Sequence, residues 1–156
     1  ISFLVRYLDT ESFEKFFALQ CFFGSYHGLD FNNNMRLYFN PKTTKFEILP
    51  WDIALMRFSD TDLCHLNDIE RISGNIFWRL MDHKVIDRSN VLDTLSVLFA
   101  RSSDYRNYLI KTNDAIFGLA PDIPHIEKKM VDLVQAFDQN MSDLKEFLRK
   151  REDHNT

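Results

Sequence analysis

Two short stretches of the chain, on either side of residue 42, alternate between apolar and polar side chains. Their apolar members are Met35, Leu37, Phe39, Phe46 and Ile48. A period of two is typical of a β-strand with one buried face. Between the stretches, Pro41 presets the backbone angle that a turn needs, and Asn40 can hydrogen-bond to the backbone beyond it. The pattern therefore predicts an antiparallel β-hairpin.

Elsewhere the apolar residues recur at three- and four-residue steps, which predicts helices. A helix over about 11–23 is capped by Asp9 or Thr10 and ended by Gly24. Three further helices are predicted around Ile76–Met81, around Val91–Phe99 after Ser89 or Asn90, and around Tyr105–Ile116. The sequence therefore predicts a mainly α (α+β) domain of five or six helices with one β-hairpin.

The last predicted helix is the longest and begins near Asp122, with Pro124 in its first turn. Its apolar residues run from Ile126 to Leu148 at a period of 3.6. Cationic side chains follow at its end: Lys145, Arg149, Lys150 and Arg151. They suit the negative end of the helix dipole, and a phosphate-binding basic patch is the alternative.

Length and composition narrow the class of protein. The chain has 156 residues, of which 45% are hydrophobic, enough for one domain with a core. A net charge of −4 argues against nucleic acid as a partner. We find no signal peptide and no apolar run long enough to span a bilayer. Because the chain starts at Ile1 without a methionine, we expect it to be a fragment whose lack of targeting signals says little.

The two cysteines, Cys21 and Cys64, have no metal-ligand spacing, and both lie in apolar surroundings. Buried free thiols are the expectation, with a disulfide as the alternative.

The outer ends of the hairpin carry the candidate chemistry. Antiparallel pairing would bring Asn34, just before the first strand, close to Asp52, just after the second. An amide and a carboxylate together supply hard oxygen ligands, which a magnesium ion bridging phosphates prefers. The pattern thus indicates a metal site formed by Asn34 and Asp52.

The same residues resemble those of a known family. Asn34-Met-Arg-Leu-Tyr38, the Asn-Pro-Lys-Thr turn and Lys45-Phe-Glu-Ile-Leu-Pro-Trp-Asp52 are similar to the core of the CotH (spore coat protein H) kinase-like proteins. Asp9–Gly24 looks like the helix before the catalytic loop of that family, and Leu144–Arg151 looks like its closing helix. The resemblance implies a single domain over 1–156, a helical kinase C-lobe whose smaller N-terminal lobe would precede Ile1.

The resemblance also implies roles for individual residues. Asn34 and Asp52 would hold Mg²⁺ or Mn²⁺ with ATP, and an acid in the preceding loop would position the hydroxyl of a protein Ser or Thr. Asp30 is the acid in that loop, with a turn-forming Asp as the alternative reading. The position of the catalytic acid in the usual Asn-Tyr-Asp triplet is held by His27, and a further family acid is replaced by Ala54.

Three functions follow from these observations. The first is an atypical protein kinase that transfers phosphate from ATP to Ser or Thr. The second is a catalytically degraded relative (a pseudokinase) kept as a binding or surface-interaction module, which His27 and Ala54 favour. The third is a helical structural domain whose hairpin only resembles the family. The chain lacks a Gly-rich phosphate loop and a strand-borne Lys with a partner Glu, so we expect the fragment alone to be inactive. The family is often bacterial, and a spore-coat, cell-surface or extracellular setting is implied by analogy alone.

Overall fold

The computed structural model describes residues 2–24, 36–49, 76–119, 123 and 126–154. Over these residues it contains six helices and one two-stranded antiparallel hairpin, which confirms the predicted mainly helical fold. The helices are α1 Ser2–Tyr7, α2 Thr10–Phe23, α3 Ile76–Asp82, α4 Arg88–Ala100, α5 Ser102–Leu119 and α6 Ile126–His154, and the strands are β1 Arg36–Asn40 and β2 Lys45–Leu49.

Helix α2 forms the centre of the domain. Its first turn is capped by Asp9, whose carboxylate accepts a hydrogen bond from the Ser12 amide at 3.4 Å. It ends as predicted at Gly24, whose φ of 67° is the left-handed conformation that glycine adopts without strain. Its buried residues occupy nearly every side of the helix: Phe13, Glu14, Phe16, Phe17, Ala18, Gln20, Cys21 and Phe22. A helix of this kind must be surrounded by other elements.

Three elements pack around α2. The core around α2 is completed by Ile48 of β2, by Val91, Leu92 and Leu95 of α4, and by Phe137 and Leu144 of α6. The apolar stripe predicted for the last helix therefore packs against the aromatic residues predicted for α2. Helix α5 has no buried residue and covers the outside of α6.

A buried carboxylate connects α2 to the beginning of α4. Glu14 is buried, and its side chain accepts hydrogen bonds from the Asp87 amide at 2.7 Å and from the Asn90 side chain at 3.1 Å. A buried charge is tolerated when it is hydrogen-bonded. The N-terminus of a helix also carries positive partial charge, which favours a carboxylate there. Glu14 thus fixes where α4 starts relative to α2.

Helix α4 itself is capped by Asp87, two or three residues earlier than the predicted Ser89 or Asn90. The Asp87 carboxylate accepts hydrogen bonds from both the amide and the hydroxyl of Ser89, at 2.8 and 2.7 Å. These bonds, the hydroxyl's first, hold the pKa of Asp87 below its ordinary value.

We expect the stabilising effect of this cap to depend on pH. Because the pKa of Asp87 is lower in the folded chain, its contribution is present above the ordinary Asp pKa of about 3.9 and is lost as the pH falls below it. Asp87→Ala should therefore lower Tm at pH 7 and have a smaller effect near pH 2.5. Thermal melts of both proteins across this range test the expectation, and an equal Tm difference at both pH values would contradict it.

The hairpin forms with the predicted strands and turn. Arg36 pairs with Leu49 at the open end and Asn40 with Lys45 at the turn. The Asn40 side chain accepts a hydrogen bond from the Lys42 amide at 2.9 Å, which is the turn contact expected from the sequence. The predicted burial is correct for Ile48 but wrong for β1, where Leu37 and Phe39 are 52% and 45% exposed.

Cys21 also differs from expectation. Its side chain is fully buried, as predicted, but it is disulfide-bonded rather than a free thiol. Cys64 lies outside the described residues. Disulfides persist in oxidising compartments, so the bond bears on where the chain folds.

Candidate functional site

The four candidate residues, His27, Asp30, Asn34 and Asp52, all lie outside the described residues, as does Ala54. Their roles and the distance between them stay predictions. The structure does describe the residues from which the chain enters and leaves these segments. These are Gly24 at the end of α2, Arg36 at the start of β1 and Leu49 at the end of β2.

The hairpin is anchored to the first turn of α2 by backbone contacts. The Asp9 amide donates to the Phe46 carbonyl at 2.8 Å, and Leu8 forms a parallel bridge with Phe46. The Ser12 hydroxyl accepts a hydrogen bond from the Ile48 amide at 3.2 Å and donates to the Asp9 carbonyl. The helix cap therefore also fixes the position of β2.

These contacts also set the direction of β2 relative to α2. Phe46 contacts residues 8 and 9, whereas Ile48, further along the strand, contacts Ser12, further along the chain. Strand β2 and helix α2 therefore run in the same direction. The open end of the hairpin points toward the end of α2, where Gly24 precedes the segment that carries His27 and Asp30.

The end of α2 is held from the other side by α6. The Asn140 side chain donates to the Phe22 carbonyl at 2.5 Å, over a sequence separation of 118 residues. The Phe22 ring makes edge contacts with Tyr105 of α5 and Phe137 of α6, with centroids 5.2 and 5.8 Å away. Both the backbone and the side chain of Phe22 are thus fixed two residues before Gly24.

Besides Asn140 of α6, a second carboxamide is buried here: Gln20, in the same turn of α2 as Phe22. Gln20 is fully buried, and among the described residues neither its side-chain oxygen nor its side-chain nitrogen has a hydrogen-bond partner. Such groups cost free energy and are uncommon in folded proteins. The last turn of α2 therefore has more buried polar side chains next to it, Gln20 and Asn140, than apolar packing alone would favour.

Sequence reasoning did not single out Glu14 or Asn140 as polar residues of the core, and it gave Gln20 only as the alternative to Leu19 in the apolar stripe of α2. A signal was present for Asn140, because it lies three residues after Phe137 and four before Leu144, within the apolar stripe of the last helix. Glu14 and Gln20 likewise lie among the apolar residues of α2. A polar residue inside an apolar helical stripe predicts a specific partner.

The described residues offer no second candidate for a metal site. No group of three or more acidic, His or Cys side chains suitable for a metal occurs in the ranges that the structure describes. A groove of about 400 Å³ lies between α5 and α6, lined in part by Ile110, Phe117 and Val134 and edged by the Arg106–Asp138 ion pair. It contains no candidate residue.

The cations at the end of α6 pair with an acid of the same helix. Arg149 and Lys150 both contact the Glu146 carboxylate, at 3.1 and 3.5 Å. The hydrogen bond from Arg149 is the main reason that the pKa of Glu146 lies below its ordinary value. The pairing supports a solvated helix end rather than a phosphate patch. None of the helices in the described part of the chain has the length and hydrophobicity needed to cross a membrane.

Comparison with known proteins identifies the family. No curated protein and no solved structure matches the chain. The family model described as CotH kinase protein matches residues 2–154, which is almost the whole chain. The matched range includes the hairpin, the segments that carry the four candidate residues, and the helices that pack around α2. The chain therefore belongs to the CotH kinase family.

Proposed function

We propose that this chain is the helical C-terminal lobe of a kinase that transfers the γ-phosphoryl group of ATP to a Ser or Thr of a protein. In this proposal Asn34 and Asp52 hold the divalent metal, and Asp30 or His27 positions the acceptor hydroxyl. A smaller lobe that covers the nucleotide would precede Ile1. The observation that carries the proposal is the register of the hairpin. Arg36 pairs with Leu49, so the stretches of chain that lead to the two proposed ligands leave the hairpin at the same end.

Covalent geometry limits how far these ligands can lie from the described hairpin. Asn34 is two residues from Arg36 and Asp52 is three from Leu49, so they lie within about 7 and 11 Å of those residues. Arg36 and Leu49 are direct partners across the strands. Both ligands are therefore tethered to the open end of the hairpin, which points toward the end of α2.

The register also bears on whether Asn33 or Asn34 is the amide ligand. Strict continuation of the pairing would set Asn33 opposite Asp52, on the same face, and Asn34 opposite Trp51. Pro50 has no amide hydrogen and follows directly after β2, so the ladder need not continue. The family motif favours Asn34, and a direct comparison of Asn33 and Asn34 decides between them.

The chemistry asked of these side chains is mainly placement. Phosphoryl transfer needs few covalent steps from the protein and depends on positioning and on neutralising charge. A bound Mg²⁺ or Mn²⁺ would neutralise the phosphate oxygens. Asp30, or His27 in its place, would accept a hydrogen bond from the acceptor hydroxyl and orient it.

A catalytically degraded binding module is the second candidate function. His27 at the position of the family's catalytic acid and Ala54 at the position of a further acid favour it. Losing an oxygen donor near a metal weakens binding, so restoring it should strengthen binding. If the site is a degraded kinase site, Ala54→Asp should bind Mn²⁺ more tightly than the natural chain.

We expect Mn²⁺ with ATP to raise the Tm of the full-length gene product, and Asp52→Ala to abolish the increase. Ligand at 100 times its Kd stabilises a protein by about 2.7 kcal/mol, which a thermal shift detects readily. Asn34→Ala should also abolish the increase, whereas Asn33→Ala should preserve it. Transfer of labelled phosphate to a protein Ser or Thr would then separate the kinase from the binding module.

The control variants remove equivalent groups elsewhere. Asp93→Ala at an exposed position of α4 deletes a carboxylate, and Asn107→Ala at an exposed position of α5 deletes an amide. Both should keep the full metal-dependent shift. A natural protein whose Tm does not change with Mn²⁺ and ATP would overturn the proposed nucleotide site.

A further inference from the structure

Asn140 occupies an unusual position in the core. It is 1% exposed and lies between Phe137 and Leu144 in the apolar stripe of α6. Its side-chain nitrogen donates to the Phe22 carbonyl, while its side-chain oxygen has no hydrogen-bond partner in the part of the chain that the structure describes. An apolar residue would suit this stripe better, because a buried acceptor without a partner costs free energy. The residue therefore calls for an explanation beyond packing.

The bond that Asn140 makes is directed at a group that α2 cannot satisfy by itself. The last four carbonyls of a helix have no partner within the helix, and the Phe22 carbonyl is one of them. Gly24 donates its amide to the carbonyls of Gln20 and Cys21 and leaves that of Phe22 to Asn140. Asn140 thus completes the end of α2.

We infer that Asn140 is a positioning residue for the end of α2, from which the chain continues to the candidate phosphate-transfer residues. The inference rests on the proposed function. It follows from the order of contacts: α6 holds the Phe22 carbonyl, and Phe22 precedes Gly24, where α2 ends, by two residues. Helix α6 thereby fixes the point at which the chain leaves α2 toward His27 and Asp30.

The chain offers a matched control for this inference. Asn113 of α5 also donates its side-chain nitrogen to a backbone carbonyl of a neighbouring helix, that of Met130, at 3.2 Å. Its bond joins α5 to α6 and does not involve α2. Asn113→Leu therefore removes the same type of hydrogen bond without touching the end of α2.

The test combines hydrogen exchange with metal binding in the full-length protein. Asn140→Leu should increase amide exchange in residues 24–34 and weaken binding of Mn²⁺ with ATP about three- to tenfold, the range expected for one hydrogen bond. Asn113→Leu should change neither. Asn140→Ala serves as a second variant in case leucine does not fit, and its exchange should change in the same way.

The outcomes separate this inference from the proposed function. Faster exchange in residues 24–34 for the Asn140 variants alone supports the positioning role. If the natural protein shows this result but binds no metal, only the proposed function fails. Unchanged exchange in residues 24–34 overturns the inference, whatever the metal binding shows. An equal increase with Asn113→Leu also overturns it, since the effect would then be general loosening.

Discussion

Phe22→Ala is expected to lower the free energy of unfolding by about 3–5 kcal/mol, the usual range for removing a buried aromatic ring. The Phe22 side chain is fully buried and contacts the rings of Phe23, Tyr105 and Phe137. It therefore joins α2 to both α5 and α6, and no small movement of one helix can fill the space it would leave. Urea unfolding followed by circular dichroism measures the loss.

Phe3 provides the control for this substitution. It has the same side chain but is 65% exposed on α1, so Phe3→Ala should change the free energy of unfolding by about 0.5 kcal/mol or less. A loss below about 1 kcal/mol for Phe22→Ala would mean that α2 is not the centre of the core. Because the Phe22 ring packs against α5 and α6 two residues before Gly24, its removal should disturb the end of α2 more than a substitution at Phe13, even though the backbone carbonyl that Asn140 contacts remains.

The parts of the fold that were predictable are those encoded locally. The strands followed from alternating apolar residues and the turn from Asn40 and Pro41, whose side-chain contact is present. Gly24 ended α2 as expected because the left-handed conformation there suits glycine. The 3.6-residue period along α6 was also sufficient to predict that helix, while its predicted first turn at Asp122 and Pro124 lies outside the described residues.

The features that were not predicted are of two kinds: a helix too short to show a period, and contacts between residues that are distant in sequence. Helix α1 spans six residues, too few to show a helical period. An alternating pattern shows which face of a strand is apolar but not whether another element covers it, so the exposure of Leu37 and Phe39 was not foreseen. The contact of Glu14 with Asp87 spans 73 residues and has no local signature.

The candidate site shows the same division. Asn34 and Asp52 were predicted to meet because a hairpin brings its two outer ends together, and the observed register agrees with that reasoning up to Arg36 and Leu49. The register alone does not choose between Asn33 and Asn34, because residues one apart point to opposite faces of a strand. The residues that hold the surrounding elements, such as Asn140, come from a helix more than 100 residues away in sequence.

Reducing the disulfide of Cys21 is expected to lower the free energy of unfolding by about 4 kcal/mol. Cys64 is the only other cysteine in the chain, and we expect it to be the partner. A bond between them would close a loop of roughly 40 residues, and restricting a loop of that length in the unfolded chain gives this magnitude. Urea unfolding with and without a phosphine reductant measures the difference.

The same bond bears on the candidate site. All four candidate residues lie between positions 21 and 64, so a link from Cys64 to the buried Cys21 would close both ends of the segment that carries them. Reduction should therefore weaken the Mn²⁺ and ATP thermal shift as well as stability. A variant with both cysteines replaced by alanine should be insensitive to reductant. Two titratable thiols in the unreduced, denatured protein would contradict the bond, and the stability of the segment would then depend on packing alone.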